Sequence, residues 1–254
     1  MRVVLLTQDE PLFLAPSIDD LLSRLPAGIE VVGCVVFDPS PLGKKVGLAG
    51  RARELLKVFG PAYFLRYAAK FAAARMQAKR QIGAILKRHG VPELQLEGNV
   101  NAPESLAAIA AFKPDLLVSV AGNQIFKRKL IDLAPKGCLN LHTALLPKYR
   151  GLMPTFWVLK HGEKETGVSV FLVDEGIDSG PIVVQRRVPI TTDSLETLIR
   201  QTKVIGMDAV IEAMDIMRRG KPKLIPNPEA EKTYFSFPTR DDVRAFRAAG
   251  KRLY

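Results

Sequence analysis

The sequence has few residues that could crosslink the chain or bind a metal ion. Its 254 residues include two cysteines, Cys34 and Cys138, and three histidines. Both cysteines lie in apolar, strand-like runs, so we expect buried free thiols, although the sequence leaves a disulfide open. The cysteines and histidines lack metal-ligand spacing, and no serine, histidine and aspartate arrangement is indicated. We therefore expect no metal site.

Long hydrophobic runs are also missing. No apolar stretch approaches the roughly 20 residues that a membrane-spanning helix needs. The N-terminal run Val3-Val4-Leu5-Leu6 is too short for a signal peptide. Hydrophobic residues make up 47% of the chain, as is typical of a globular protein with a large core. The expectation is a cytoplasmic protein without a transmembrane segment.

Acidic residues are scarce in one segment. The chain has 37 basic and 26 acidic residues, a net charge of +11. Between Lys44 and Arg88 there are twelve basic residues and one acid, Glu54, so this segment alone accounts for the excess. We call residues 44–88 the basic segment. Because the excess positive charge lies in the basic segment, it describes the surface of that segment rather than the surface of the whole protein.

An amphipathic helix is predicted within the basic segment, beginning at Pro61. Its aromatic residues recur at helical spacing and would share one side. They are Tyr63, Phe64, Tyr67 and Phe71. The helix could simply pack these rings on the domain and expose its lysines. Alternatively, it could dock an anionic substrate, RNA or acidic lipid headgroups, and charge alone does not distinguish these cases.

Glycine is absent from the first turn, which excludes one common cofactor. Arg2 to Thr7 is predicted to be a buried strand, and the turn Thr7 to Pro11 contains two acids and no glycine. A dinucleotide-binding turn needs glycines so that backbone amides can approach a pyrophosphate. A helix from Ser17 to Leu25 and a strand from Ile29 to Phe37 follow. This order predicts a parallel α/β sheet.

The same alternation continues along the chain. The fold class predicted is an open, mostly parallel twisted sheet with helices on both faces. Residues 1–220 are expected to form a catalytic domain, and residues 221–254 a short C-terminal extension that is not an independent domain. Further predicted strands are 93–97, 115–120, 168–173 and an edge strand 182–188. Further predicted helices are 104–112, a short one ending near Ala134, 154–160, a long one capped by Asp193 and stopped at Gly220, and one within 240–252.

Residues 137–185 carry the chemistry. Asn140 and His142 lie two residues apart in a short apolar strand, so their side chains share one face. A second strand, 168–173, runs into a glycine-rich acidic loop that contains Asp174 and Asp178. An amide, an imidazole and a carboxylate could therefore meet at the ends of two strands. Asp178 and Asp174 are rival candidates for the carboxylate, and loop acids before glycine commonly just cap turns.

Four sequence blocks in this stretch together resemble the formyltransferases that use 10-formyltetrahydrofolate. The blocks are Asn140-Leu141-His142, Leu145-Leu146-Pro147-Lys148-Tyr149-Arg150-Gly151, Glu165-Thr166-Gly167 and Asp174-Glu175-Gly176-Ile177-Asp178-Ser179-Gly180. The resemblance implies formyl transfer to an amine, with Asn140, His142 and Asp178 as catalytic residues. The family's spacing puts the catalytic carboxylate before Ser179-Gly180, which makes Asp178 the preferred acid and Asp174 the alternate. It also implies that 10-formyltetrahydrofolate is the cosubstrate and that a Rossmann-like fold carries the site.

The resemblance also implies binding residues outside this set of three. The folate is expected to contact Gln124, Ile125, Phe126, Asp174, Gly176 and Ile177. An ordinary loop that buries Ile125 and Phe126 in the core is the alternative. Lys148 and Arg150 follow the His142 strand, where either could bind a substrate phosphate or the glutamate tail of the folate, or could merely be solvated.

The acceptor amine is less well defined. The segment from Leu145 to Trp157 is most similar to nucleotide-sugar N-formyltransferases, which favours a small, phosphate-bearing amino-sugar acceptor. The catalytic domain also resembles methionyl-tRNA formyltransferase, so tRNA is the second candidate, although about thirty residues after the long helix are too few for that family's C-terminal barrel. The glycine-free turn at Thr7 to Pro11 disfavours glycinamide ribonucleotide.

Three interpretations from other classes stay open. The protein could bind folate without catalysis, or could be a basic module that binds RNA or a membrane surface. Hydrolysis of the formyl-folate without an acceptor is disfavoured, because the regulatory domain of such hydrolases is absent. Joint presence of Asn140, His142 and Asp178 favours an active transferase.

Overall fold

A seven-stranded mixed sheet forms the centre of the computed structural model, in the order β3-β2-β1-β4-β5-β7-β8. The structure describes residues 1–38, 47–96, 98–220 and 222–254. The strands are β1 Arg2–Gln8, β2 Glu30–Phe37, β3 Glu93–Leu94, β4 Leu116–Val120, β5 Cys138–His142, β6 Arg150–Gly151, β7 Glu165–Leu172, β8 Ile182–Pro189 and β9 Tyr234–Phe235. The helices are α1 Leu14–Ser23, α2 Leu48–Phe59, α3 Pro61–Arg75, α4 Ile82–Arg88, α5 Pro103–Ala110, α6 Arg128–Ile131, α7 Pro154–Lys160, α8 Leu195–Arg219 and α9 Arg240–Ala248. Short 3₁₀ turns span Ala78–Arg80 and Glu229–Glu231.

Strands β3, β2, β1, β4 and β5 are parallel, whereas β7 and β8 are antiparallel to their neighbours. The parallel strands are mostly apolar because both of their faces are covered by helices. β8 lies at the sheet edge, where Arg186 and Arg187 are exposed. The predicted fold class is therefore confirmed, including the edge position of this strand.

Helices cover both faces of the sheet. On one face, α1, α4 and α8 bury Ile18, Ile85 and Met214 against β1, β4 and β5. On the other face, α5 and α6 bury Ile109 and Leu130. Each such side chain removed from water contributes about 1.5–3 kcal/mol before entropy is counted, so these two cores hold the sheet and its loops in place.

Two helix starts differ from the predictions. The N-cap of α8 is Ser194, whose side chain accepts a hydrogen bond from the Thr197 amide, rather than Asp193. α1 begins at Leu14, three residues before the predicted Ser17. The Glu10 carboxylate accepts hydrogen bonds from the Leu14 amide and from the Leu12 and Phe13 amides just before the helix, which favours this early start.

The basic segment contains α2, α3 and α4. The rings of Tyr63, Tyr67 and Phe71 follow one another along α3 with centroids 6.0 and 6.1 Å apart, as helical spacing predicts. All three are half-buried. Lys44 and Lys45 of this segment lie outside the described residues, as does Glu97 of the predicted strand 93–97.

Residues 222–254, which we call the C-terminal segment, pack on the rest of the chain. Strand β9 pairs in parallel with β6, and Phe246 of α9 stacks on Phe156 of α7 at 4.7 Å. A capping box between Thr239 and Asp242 starts α9. These contacts bring residues 234–237 to the carboxyl end of the sheet. Among the helices of the described residues, none combines the length and apolarity needed to cross a bilayer.

Candidate active site

The end of β5 brings two polar side chains to one place. Asn140 pairs with Ser119 of β4 and with Phe171 of β7, and His142 pairs with Ser169 of β7. Since side chains alternate along a strand, Asn140 and His142 share one face, as predicted. The carboxyl ends of β1, β4 and β5 lie at the same edge of the sheet, which is where ligands bind in open α/β folds.

A cleft of about 560 Å³ opens at this edge. Its walls come from the loops after β1, β4, β5 and β7, from α2, α3 and α8, and from the C-terminal segment. Residues on these walls include Gln8, Glu10, Arg51, Tyr67, Ala121, Gln124, Ile125, Phe126, Asn140, His142, Gly151, Asp174, Gly176, Ile177, Asp178, Lys203, Tyr234 and Phe237. All three predicted catalytic residues and all six predicted folate-binding residues therefore line one cleft.

His142 is held at both ring nitrogens. Its Nε2 lies 2.7 Å from the carbonyl oxygen of Tyr149, and its Nδ1 lies 3.5 Å from Oδ2 of Asp178. A carbonyl oxygen accepts only, so the neutral imidazole carries its proton on Nε2. The Nδ1 position is then the one whose protonation can change. Only 5% of His142 is exposed, and the residue lines the cleft.

The two loop acids have different partners. Oδ2 of Asp178 accepts a hydrogen bond from the Gly151 amide at 2.8 Å, which aims the carboxylate at His142. Oδ1 of Asp174 accepts from the Gly176 amide and the Ser179 hydroxyl instead, and closes its own loop. The structure thus brings Asp178 to His142 and gives Asp174 the turn-capping contacts.

The side-chain amide of Asn140 forms no hydrogen bond with another residue of the described part of the chain. Asn140 is half-buried and lines the cleft beside His142. An amide carries two N–H donors, and donors without a protein partner are available to a ligand oxygen. The geometry therefore offers a neutral hydrogen-bond donor next to the imidazole.

Two aliphatic side chains leave an apolar surface in the cleft. Ile125 and Ile177 are 62% and 46% exposed, which is unusual for large hydrophobic residues. Phe126 is buried in the core beneath this surface. The Gln124 amide oxygen accepts from the Val100 amide, so this side chain holds the neighbouring loop. Ile125 and Ile177 are the residues of this group that present apolar surface to a ligand.

Lys148 and Arg150 do not line the cleft. Arg150 is 3% exposed, and its guanidinium donates to Glu229 and to Asn227. It therefore joins β6 to the C-terminal segment and is not aimed at a substrate. Lys148 is exposed on the loop before β6. The sequence had indicated that either side chain could bind substrate. The partners of Arg150 lie 77 and 79 residues away, so local spacing could not indicate them.

Several residues on the walls were not predicted to be functional. Tyr234 and Phe237 come from the C-terminal segment, and Lys203 comes from α8. For Lys203 the sequence does contain a signal. It lies four residues after Ile199 and eight after Leu195, so it falls on the apolar stripe of the helix, where a lysine is unexpected. Among the described residues, no group of three or more histidine, cysteine or acidic side chains could hold a metal ion.

Comparison with known proteins identifies the family of the chain. Residues 1–214 match the formyl transferase family model. The methionyl-tRNA formyltransferase of Kosmotoga olearia is 38% identical over 160 residues, which are 63% of this chain and 51% of that protein. The match thus spans about half the length of this relative.

Solved structures share the fold at lower identity. Glycinamide ribonucleotide transformylase 1 from Symbiobacterium toebii has a TM-score of 0.60 at 22% identity, covering 87% of this chain and 88% of its own. A sugar N-formyltransferase from Shewanella has a TM-score of 0.61 at 17% identity, with coverages of 98% and 87%. A sugar 3N-formyl transferase, solved in the presence of dTDP and 5-N-formyl-THF, has 0.58 at 15%, with coverages of 93% and 70%. With its motifs, cleft and family match taken together, the chain belongs to the formyl transferase family.

Proposed function

We propose that this protein transfers a formyl group from 10-formyltetrahydrofolate to a primary amine. The observation that carries the proposal is the convergence of Asn140, His142 and Asp178 in one cleft, beside an exposed apolar surface. When bound, 10-formyltetrahydrofolate supplies the formyl group. Every further part of the reaction falls to side chains of this chain.

Asn140 acts on the formyl oxygen. Negative charge develops on this oxygen as the amine attacks the carbonyl carbon, and a donor placed there stabilises that charge. The Asn140 amide suits this role because its donors have no partner among the described residues and because it adds no charge of its own. Loss of one such donor typically lowers kcat by about 10²–10³-fold.

His142 and Asp178 move the proton. The attacking amine must lose a proton and the departing folate nitrogen must gain one. His142 can take the proton at Nδ1, because Nε2 is occupied by the Tyr149 carbonyl. Asp178, 3.5 Å from Nδ1, stabilises the imidazolium that forms. Its hydrogen bond from the Gly151 amide keeps the carboxylate in position.

The folate fits the apolar side of the cleft. A flat heterocycle such as a pterin requires apolar contacts on its faces, and Ile125 and Ile177 are the exposed hydrophobic residues there. Backbone groups of residues 121–124 lie beside them and could bond the edge of the ring. Asp174 and Gly176 would shape the loop that carries Ile177 rather than contact the ring through side chains.

For the acceptor, we propose methionyl-tRNA first and a nucleotide-linked amino sugar second. This reverses the order favoured by the Leu145 to Trp157 segment. The 38% identity to a methionyl-tRNA formyltransferase supports the tRNA, whereas likeness to sugar N-formyltransferases at 15–17% identity reflects the fold alone. The basic segment would then supply a surface for the RNA backbone.

The test is a formyl-transfer assay with 10-formyltetrahydrofolate and three separate acceptors. These are methionyl initiator tRNA, a dTDP-linked amino sugar and glycinamide ribonucleotide. Product and released tetrahydrofolate would be measured by mass spectrometry, with Asn140→Ala as the inactive control. Formylation of the tRNA alone supports the first acceptor, and formylation of the sugar alone restores the second.

A binding protein without catalysis gives a different result in the same assay. If the folate binds but no acceptor is formylated, the transfer reaction is wrong and folate binding remains. If neither occurs and RNA or anionic vesicles bind with a steep salt dependence, the basic segment is the functional feature. Release of formate without any acceptor would instead indicate hydrolysis.

A further inference from the structure

A lysine of α8, Lys203, lines the cleft. Lys203 of α8 lies on the wall together with Glu10, Arg51 and Tyr67, and we call these four residues the Lys203 wall. Lys203 forms no hydrogen bond or ion pair with the residues that the structure describes. Charged side chains are rarely buried without a partner, because desolvation of an ammonium is costly unless an anion offsets it.

The nearest acid on this wall does not pair with Lys203. Both carboxylate oxygens of Glu10 accept backbone amides at the start of α1, from Leu12 at 2.7 Å, Phe13 at 2.8 Å and Leu14 at 2.9 Å. This carboxylate is therefore turned toward the helix N-terminus, whose partial positive charge offsets its negative charge. Glu10 still raises the Lys203 pKa, but burial has the larger effect and lowers it to about 8.

A rigid contact holds Lys203 in place. One helical turn later, Gly206 packs directly on Leu141 of β5, where an added Cβ would lie 2.8 Å from a methyl carbon. This close approach fixes α8 against the strand that carries Asn140 and His142. The lysine therefore projects into the cleft from a fixed element rather than from a mobile loop.

The Lys203 wall and the proposed folate surface come from different elements of the chain. Ile125 and Ile177 come from the loops after β4 and β7, whereas the wall comes from the loop after β1 and from α2, α3 and α8. If the folate occupies the apolar surface, the acceptor meets the remaining wall. Glu54 of α2 also lines the cleft, but it is exposed and leaves the deeper part to Lys203.

We propose that Lys203 forms a phosphate subsite that binds the acceptor substrate, an inference that rests on the proposed formyl transfer. An ammonium provides three donors and a full charge, which suits the oxygens of a phosphate. A primary amine within reach of a phosphate occurs in a nucleotide-linked amino sugar and at the aminoacylated end of a tRNA. Both acceptors therefore share the chemistry that Lys203 would recognise.

Phosphate binding tests this subsite without any turnover. Inorganic pyrophosphate would be titrated into the full chain by calorimetry, in wild type, Lys203→Met, Lys203→Arg and Lys129→Met. Lys129→Met is the matched control, since Lys129 is exposed on α6 outside the cleft. We expect Lys203→Met to weaken binding about tenfold or more, as loss of a charged hydrogen bond does, and Lys203→Arg to retain most of it.

Two competitors distinguish the phosphate sources. dTDP and a short RNA ending in CCA would each be tested for displacement of pyrophosphate, and the stronger one identifies the acceptor class. Equal pyrophosphate affinity in wild type and Lys203→Met would overturn the subsite. So would a Lys203→Met enzyme with a lower kcat and an unchanged acceptor KM, since that pattern indicates a chemical role. Pyrophosphate binding by a wild type that transfers no formyl group would refute the proposed function and leave the subsite standing.

Discussion

The two sides of the cleft are built in different ways. The side with His142 and Asp178 comes from 49 consecutive residues, 137–185, in which adjacent strands and their loops bring the groups together. The Lys203 wall takes its four residues from positions 10 to 203, on four separate elements. The proposed catalytic residues thus lie in one local segment, while the proposed acceptor surface depends on how distant elements pack.

The largest effect is expected for a substitution of His142, on the side of the cleft that residues 137–185 form. His142→Ala should lower kcat for formyl transfer by about 10²–10⁴-fold, because no other side chain accepts the amine proton at that position. Folate binding should persist, since the imidazole faces Asp178 rather than the apolar surface. Steady-state kinetics and a separate binding titration with 5-formyltetrahydrofolate measure the two quantities.

A matched histidine provides the control. His89→Ala removes an imidazole that pairs with Asp19, outside the cleft, and should leave kcat unchanged. If His142→Ala keeps more than about a tenth of wild-type kcat, the proton transfer assigned to this residue is wrong.

The next largest effect is expected for the two loop acids, whose substitutions should give different losses of kcat. Asp178→Asn should lower kcat by about 10²-fold, because the neutral amide no longer stabilises an imidazolium at His142. Asp174→Asn should lower kcat only several-fold and should weaken folate binding instead, since it loosens the turn closed by Gly176 and Ser179. Equal losses of kcat in the two variants would contradict the division of roles.

The sequence predicted the local side because its signals are short-range. Alternation in β5 places Asn140 and His142 on one face, whereas Asp178 was preferred to Asp174 through the spacing of the family that the segment resembles. Apolar runs predicted the parallel strands, since a strand buried on both faces needs no distant partner to be recognised. Element ends were less accurate, because the caps of α1 and α8 depend on single side chains, Glu10 and Ser194.

The remaining site residues depend on long-range packing. Arg150 resembles a substrate-binding loop residue in the sequence, and only the folded chain shows it donating to Glu229, 79 residues later. Tyr234 and Phe237 reach the cleft because β9 pairs with β6. No periodicity within residues 222–254 could have indicated that pairing, since it is set by the tertiary arrangement.

The contact between β6 and β9 can be broken at Gly151, whose amide also donates a hydrogen bond to the Asp178 carboxylate. Gly151 has a φ of +96°, and an added Cβ would lie 2.2 Å from the Phe235 carbonyl oxygen. Gly151→Ala should therefore separate β9 from β6 and destabilise the protein by about 1–3 kcal/mol. The acceptor KM should rise more than the folate KM, because Tyr234 and Phe237 leave the cleft.

A substitution at Gly162 separates the effect of backbone strain from the effect of the clash at Gly151. Gly162 has a φ of +69° but open space around its Cβ position. Gly162→Ala should destabilise by about 1 kcal/mol and leave both KM values unchanged. Thermal denaturation gives the stability, and limited proteolysis reports release of the C-terminal segment. Equal acceptor KM values in the two variants would show that the segment does not shape the acceptor side.

The smallest effect is expected for the pH dependence of anion binding at the Lys203 wall. Besides Lys203, the titratable side chains of the described residues that line the cleft are Glu10, Arg51, Glu54, Tyr67, His142, Asp174, Asp178 and Tyr234. Burial lowers the Lys203 pKa to about 8, so the side chain is cationic below that pH and neutral above it. Anion affinity should therefore be present at pH 7 and be lost as the pH rises through 8, which is the direction expected for a lysine that binds an anion.

Sulfate is a suitable probe for this titration because its charge does not change over the range. In the wild type, sulfate affinity should fall about tenfold between about pH 7 and pH 9.5 as the ammonium loses its proton. Lys203→Arg should keep its affinity throughout, because a guanidinium stays charged. Lys203→Met should bind weakly at every pH. A wild-type affinity that stays constant across the range would mean that another cation binds the anion, and it would place acceptor recognition on a part of the cleft other than the Lys203 wall.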